Sequence, residues 1–433
     1  MSLTHFREIL RYVPGYRGTT FVVGVDGGVV DRVNLTNLML DVAVLRSLNI
    51  NVIVVHGIRS YLRDLASEQG RILSSDHAGG VTDDATMSLV RHASSEMTQL
   101  ILGAFRSARL PAAAPNAVVG RPAGILNGVD MQNSGVVLKV DGGLLNDLQQ
   151  QQIIPVLPPL AFDHQGQLLR VSADALAVEA GIAVGARKVM FAGSVDGITE
   201  EESLVRQLNL EQARALLADD SGSSDTMQAK LRLALKACEA GIDRVHILNG
   251  RTPQGLLAEV FSNEGIGTLV YSDDYQTIRP ADSGDVAFIH SLVVEAAGDD
   301  EVIARSPEEI SASIEDHFVA EIDANPVACV ALHIDEQCGK AELASLVVRE
   351  GHRNFGLASR LMEFVQKKAV EAGVSELFCL STQADSWFRR KGGFEKTDPA
   401  ELPEARYQRW ATNGRNSIVL KKTLIRPDIP AGP

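Results

Sequence analysis

Residues 341–358, AELASLVVREGHRNFGLA, decide the reading of the C-terminal third. The first half, 342–348, is a strand-like apolar run. Then come Arg353-Asn354-Phe355-Gly356-Leu357-Ala358, a loop of small residues, and a stretch of helical period at 359–372. A strand, a glycine-bearing loop and a helix start gather several unpaired backbone N–H groups at one point. The helix dipole makes that point favourable for a pyrophosphate, and Arg353 adds charge.

Working outward, residues 277–282 (TIRPAD) read as an opening strand and 377–380 as a further strand. Trp387-Phe388 followed by Gly393-Phe394 reads as a helix-to-strand passage. In this order the features resemble the GNAT N-acetyltransferases, whose acetyl-CoA loop has the pattern Arg/Gln-x-x-Gly-x-Gly/Ala. Arg353, Gly356 and Ala358 fit it. The resemblance implies an α+β domain that uses acetyl-CoA as cosubstrate and no metal. It assigns CoA contacts to Leu346, Val347, Val348, Arg353, Asn354, Phe355, Gly356, Leu357, Ala358 and Phe388. A backbone N–H of 346–348 would meet the oxyanion.

Leu380-Ser381-Thr382, Glu401-Leu402-Pro403-Glu404-Ala405-Arg406-Tyr407 and Asn413-Gly414-Arg415-Asn416-Ser417 resemble the bacterial N-acetylglutamate synthases. That resemblance implies transfer of acetyl to the α-amine of L-glutamate, the first step of arginine biosynthesis. Arg415 would pair with a substrate carboxylate, as guanidinium does bidentately. Glutamate has two carboxylates, so a second cation is expected. The family string Val-Arg-Arg-Ser is here Ile303-Ala304-Arg305-Ser306, with one arginine lost, and Arg305 is the candidate replacement. Glu342 stands where relatives place the base. Ser381 stands at the position credited with protonating the leaving thiolate. Ser345, where relatives often carry cysteine, is read as an acceptor contact. Two rivals stay open: a different amine as acceptor, and a non-catalytic arginine sensor.

The preceding part alternates short apolar strands (19–25, 51–55, 152–157, 188–192, 245–248) with helical stretches (35–48, 173–184, 227–240). This implies βαβ units and a mainly parallel sheet. Residues 236–250, 256–261 and 265–268, with Ser172-Ala173-Asp174 and Thr82-Asp83, resemble the amino-acid kinase family, acetylglutamate kinase above all. The implied fold is an αβα sandwich. The resemblance fails at the phosphate loops. The family's Lys-x-Gly-Gly is Val25-Asp26-Gly27-Gly28, its triple glycine after histidine is Gly57-Ile58-Arg59, and its substrate arginine is Gly80. Phosphoryl transfer rests on such clamps, so this part is read as a silent, regulatory domain. The family's arginine site implies L-arginine as effector, bound by Tyr12 of an N-terminal helix with His246, Glu259, Gly265 and Gly267. That helix mediates subunit contacts in relatives, consistent with a homo-oligomer such as a hexamer. Inhibition would then be allosteric.

The expected domains are an N-terminal helix at 1–17 closed by Pro14-Gly15, the kinase-like domain at 18–272 and the acetyltransferase domain at 276–433. Residues 219–225 read as a polar loop or lid. A net charge of −14 over 433 residues argues against a nucleic-acid or anionic membrane partner. No uncharged run reaches the length of a membrane span. The N-terminus lacks an apolar signal core, and the four scattered cysteines suit a reducing cytoplasm.

Overall fold

The computed structural model describes residues 13–29, 32–73, 80–200, 203–218, 225–261, 265–272, 276–298, 302–322, 325–335, 338–353, 356–412 and 417–424. The chain forms two compact units, Met1–Asp274 and Tyr275–Pro433.

The first unit is built on β1 (Thr20–Val25), β2 (Asn51–His56), β3 (Ala112–Ala113), β4 (Ile154–Leu157), β5 (Lys188–Gly193), β6 (Gln207–Asn209), β7 (Arg244–Asn249) and β8 (Thr268–Tyr271). Their order across the sheet is β6-β8-β7-β5-β1-β2-β4-β3. Every pairing is parallel except that of β7 with β8. All six residues of β1 are buried, because helices cover both sheet faces. Successive side chains of β1 enter different cores. Val22 packs with Leu176 and Leu231, from α3 (Ala173–Val184) and α4 (Asp225–Glu239). Phe21 and Val23 pack with Leu38 of α1 (Arg32–Ser47) and Val260 of α5 (Gly255–Phe261). The long helix α2 (Asp84–Ser107) starts at Asp83, whose side chain accepts the Thr86 N–H. A smaller four-stranded sheet uses Val118–Pro122, Gly135–Val140, Leu160–Phe162 and Leu168–Arg170.

Residues 13–16 are helical, so Pro14 and Gly15 do not close the first helix as expected. Residues 1–12, with Tyr12, lie outside the described residues, as do 219–224 of the polar loop.

The second unit contains β9 (Gln276–Pro280), β10 (His317–Ile322), β11 (Asn325–Asp335), β12 (Lys340–Val348), β13 (Glu376–Ser381), β14 (Glu395–Lys396) and β15 (Ile418–Thr423). The order is β9-β10-β11-β12-β13-β15-β14. One sheet face is covered by α8 (Leu357–Glu371), whose Leu357, Leu361, Met362, Val365 and Ala369 are buried. Burying one such leucine stabilises by roughly 1.5–3 kcal/mol. The opposite face meets α6 (Val286–Gly298) and α7 (Pro307–Ala312) at one end. At the other end it meets Tyr407 and Trp410 of α10 (Glu404–Thr412). No described helix is long and apolar enough to cross a membrane.

Candidate active site

The site begins where two parallel strands part. β12 pairs with β13 only from Lys340–Glu342 to Glu376–Phe378. Both strands continue beyond that point, to Val348 and Ser381. Two features turn β12 away. Its register against β11 slips between Cys329 and Ala331, and Ser345 adopts a left-handed backbone with φ of 49°. A bulge of this kind bends a strand and ends pairing. The gap is a cavity of about 370 Å³, walled by residues 343–348 on one side and 379–381 on the other.

The candidate CoA residues distribute unevenly around it. Leu346, Val347, Val348, Arg353, Ala358 and Phe388 line the cavity. Val347 and Val348 point into apolar cores, so they offer main-chain groups. Leu357, the first residue of α8, is likewise buried against the sheet core, and only its backbone can serve a ligand. Gly356 is the N-cap of α8, left-handed with φ 68° and without a side-chain capping bond. The first helix amides are therefore not taken by a cap side chain. A free strand edge, a cavity of this size and an uncapped helix start together fit a thioester cosubstrate with a pyrophosphate. Asn354 and Phe355 lie outside the described residues. Phe388, on α9 (Asp385–Gly392), sits edge-on to both Trp387 and Phe394.

The candidate catalytic groups stand on the two parting strands, Ser381 in the cavity wall and Glu342 where the pairing ends. Ser381 ends β13, and its Oγ accepts the Ala384 N–H at 2.8 Å. That bond leaves the hydroxyl proton to be donated elsewhere. Glu342 stands on β12, opposite His333 of β11 and Phe378 of β13. It is not a solvated strand charge. Both oxygens accept from Arg406 of α10, at 2.7 and 2.9 Å, in a largely buried pair. Arg305 precedes α7, and its Nη1 lies 3.3 Å from His333 Nε2. His333 Nδ1 is 2.7 Å from Asp316 Oδ2. Sequence reasoning missed Asp316 and His333, and quoted Arg406 without giving it a role. They come from a strand, a 3-10 turn and a helix that only the fold brings together, and carry no local motif. Ser345 lines the cavity, and its carbonyl accepts the Cys329 thiol at 3.4 Å. Arg415 lies outside the described residues.

Burial pushes the Cys329 thiol up to about 12. Burial, with the Glu342 charge, pushes Cys379 higher still. Neither supplies the thiolate that a covalent acyl-enzyme needs. Among the described residues no group of three or more His, Cys, Asp or Glu could hold a metal ion.

Comparison with known proteins agrees with this geometry. The amino acid kinase family model matches residues 19–249, and the acetyltransferase (GNAT) family model matches 298–394. The amino-acid acetyltransferase of Neisseria meningitidis serogroup B is 30% identical, over 98% of this chain and 99% of its own. That of Pseudomonas fluorescens is 30% identical, over 96% and 98%. The chain belongs to the amino-acid acetyltransferases. The crystal structure of N-acetylglutamate synthase from Neisseria gonorrhoeae, complexed with coenzyme A and L-arginine, matches with a TM-score of 0.83 and 29% identity. It covers 98% of this chain and 100% of that one. The same enzyme complexed with coenzyme A and N-acetyl-glutamate matches with a TM-score of 0.64. This protein is thus an acyltransferase with acetyl-CoA as cosubstrate.

The first unit of the acetyltransferase keeps a cavity of about 410 Å³ at its glycine loops, lined by Asp26, Arg59, Arg170 and Asp174 among others. The two loops are packed tightly, since a Cβ on Gly27 would meet the Arg59 amide at 2.9 Å. Asp174 is ion-paired with Lys230 at 2.7 Å. Val25 is buried where the kinase lysine would stand. Gly80 serves locally, its carbonyl accepting Ser134 Oγ–H at 2.7 Å.

The candidate effector residues His246, Glu259, Gly265 and Gly267 do come together, with Glu259 closed inside them. Glu259 Oε1 is 2.7 Å from His246 Nδ1, and Oε2 accepts the amides of Ile266 and Gly267 at 2.6 and 2.8 Å. Burial opposes its charge, but these bonds outweigh it and hold the carboxyl below its usual range. Glu259 thus fixes its own loop: Oε2 is filled by two amides, and only the second lone pair of Oε1, beside His246, is left for a guanidinium N–H. Gly267 is needed for packing, because a Cβ there would lie 2.2 Å from the Ile247 carbonyl.

Proposed function

We propose that this acetyltransferase moves the acetyl group of acetyl-CoA to the α-amine of L-glutamate, giving N-acetylglutamate and CoA. L-Arginine, the end product of the pathway this step opens, would inhibit it from the kinase-like unit of a cytoplasmic homo-oligomer. The observation that carries the reading is the parting of β12 and β13 beside Glu342, with Arg305 close by. The names of the relatives, and the CoA, arginine and N-acetyl-glutamate bound in the Neisseria gonorrhoeae enzyme, support it.

The chemistry follows from the residues. The amine must lose a proton before it attacks the thioester. Each Glu342 oxygen accepts one bond from Arg406 and keeps a second lone pair. A water held there passes the amine proton to the carboxylate. An amide of residues 346–348, on the edge that β13 has left, meets the developing oxyanion. Ser381 then donates its hydroxyl proton to the departing thiolate and regains one from the proton that the acetylated nitrogen sheds as the tetrahedral intermediate collapses. Arg415 holds one substrate carboxylate.

A thiol-release assay over a panel of amines and amino acids tests this, with glutamate expected to be the best acceptor. Arg415→Ala is expected to raise the glutamate KM about 100-fold while moving the acetyl-CoA KM little. Equal rises in both, or better turnover of another amine, would overturn the assignment.

A further inference from the structure

Two arginines on the paired residues His333 and Glu342 differ in what neutralises them. Arg406 is spent, its guanidinium bound bidentately by Glu342. Arg305 is half-buried, takes part in no ion pair among the described residues, and leans on an imidazole instead. His333 stands directly across from Glu342 in the β11–β12 register. Side chains so paired share a sheet face, with Cβ atoms about 5 Å apart. The Arg305 guanidinium is therefore one side chain away from the candidate base. Val302, three residues earlier, already lines the cavity.

The imidazole is itself held in one orientation. Its Nδ1 lies 2.7 Å from Asp316 Oδ2 and its Nε2 3.3 Å from Arg305 Nη1. Asp316 can only accept, and arginine can only donate. One tautomer satisfies both, with Nδ1–H donating to Asp316 and the Nε2 lone pair accepting from Arg305. The same carboxylate-to-imidazole logic orients histidines at metal and catalytic centres. The surroundings are stiff. Ser306 opens α7 with a reciprocal capping box to Glu309, fixing the backbone just after Arg305. His317 packs edge-on to His333 at 5.9 Å and is anchored through Nδ1 to the Ser313 carbonyl at 2.8 Å.

We propose that Asp316 and His333 are positioning residues that aim Arg305 at the side-chain carboxylate of the acceptor. The arrangement gives the site its second cation and its preference for an acidic amino acid. This rests on the dicarboxylate acceptor proposed above. Binding to imidazole occupies one N–H of the guanidinium and leaves the others for a carboxylate, with no ion pair to another described residue in the way.

The test is the ratio of kcat/KM for glutamate over glutamine, which lacks the side-chain charge, in the full-length protein. His333→Ala is expected to lower that ratio about tenfold through the glutamate KM, the size of one hydrogen bond to a charged group. The acetyl-CoA KM should stay the same. Asp316→Asn should shift it the same way, because an amide N–H would favour the wrong tautomer. His333→Gln keeps an acceptor near Nε2 and should restore most of the ratio. Adding His333→Ala to Arg305→Ala should cost no further discrimination if histidine acts through the arginine. An unchanged ratio in His333→Ala, or fully additive losses in the double variant, would overturn the relay and leave the acceptor reading intact. Wild type that fails to acetylate glutamate would overturn both.

Discussion

At the scale of single residues, burial decides what a side chain can do. Glu342, which by resemblance stands where relatives place the base, is enclosed and held by Arg406. That pairing could not be read from the sequence, because the partner lies 64 positions away and only the fold brings it near. His56 shows the same principle with a measurable consequence. It is fully buried, and burial pushes it down to about 4 although a bond to the Gly57 carbonyl opposes this. Its Nε2 lies 2.9 Å from Thr98 Oγ1. Above its ordinary value of 6.5 the ring is neutral in both the folded and unfolded states. Below that value the unfolded chain takes up a proton that the folded chain refuses until about pH 4. Stability must therefore fall as pH drops from about 6.5 to 4, by up to about 1.4 kcal/mol per pH unit for one such group. Denaturant unfolding of the first unit at pH 7.5, 6 and 5 should show this decline, and His56→Gln should make it shallower. A variant with the wild-type slope would show that the proton uptake lies elsewhere.

At the scale of elements, what the sequence made legible was the regular part. The helix Ala173–Val184 was read with the bounds it has, because Ser172 caps its start and Gly185, left-handed at φ 63°, ends it. The strand and helix of the 341–358 stretch were also legible. The divergence of β12 from β13 was not, because it comes from a register slip on the neighbouring strand and from one serine in a glycine-like conformation. The three-residue strands Leu160–Phe162 and Leu168–Arg170 of the smaller sheet were also invisible, being too short for any periodicity. Gly356 is where a legible motif meets an illegible geometry. A Cβ there would find open space, yet its φ of 68° disfavours every other residue type. Gly356→Ala should therefore cost about 1 kcal/mol of backbone strain. Relief of that strain would turn the first amides of α8 away from the cavity. The expected result is a several-fold rise in acetyl-CoA KM with the glutamate KM held. An equal rise in both would mean that the helix start does not serve the cosubstrate.

At the scale of the whole chain, two units carry separate apolar cores. Phe191 and Val245 belong to the first, and Leu361 and Val365 to the second. That division was legible because turn-forming Ser272, Asp273 and Asp274 follow the strand ending at Tyr271, and a new strand begins at Gln276. The sequence also sets a unit with a CoA-type loop at 353–358 beside one with Val25 and Gly80 in place of the kinase clamps. What it could not show is that Glu259 is bonded inward by His246 and two amides. If the cosubstrate binds only the second unit and the effector only the first, each should stabilise its own unit. A ligand specific to the folded form adds RT ln(1 + [L]/Kd), about 2.7 kcal/mol at one hundred times Kd. Separate cores allow separate unfolding transitions. Calorimetry of the intact protein should then resolve two transitions, with CoA raising one and L-arginine the other. Because binding couplings are reciprocal, any inhibition by arginine that works through weaker CoA binding must also appear as a smaller CoA-induced shift when arginine is present. If arginine and CoA raise the same transition, the effector is sitting in the acetyl-transfer cleft and inhibits by occupancy. If arginine raises neither, the kinase-like unit is not its receptor.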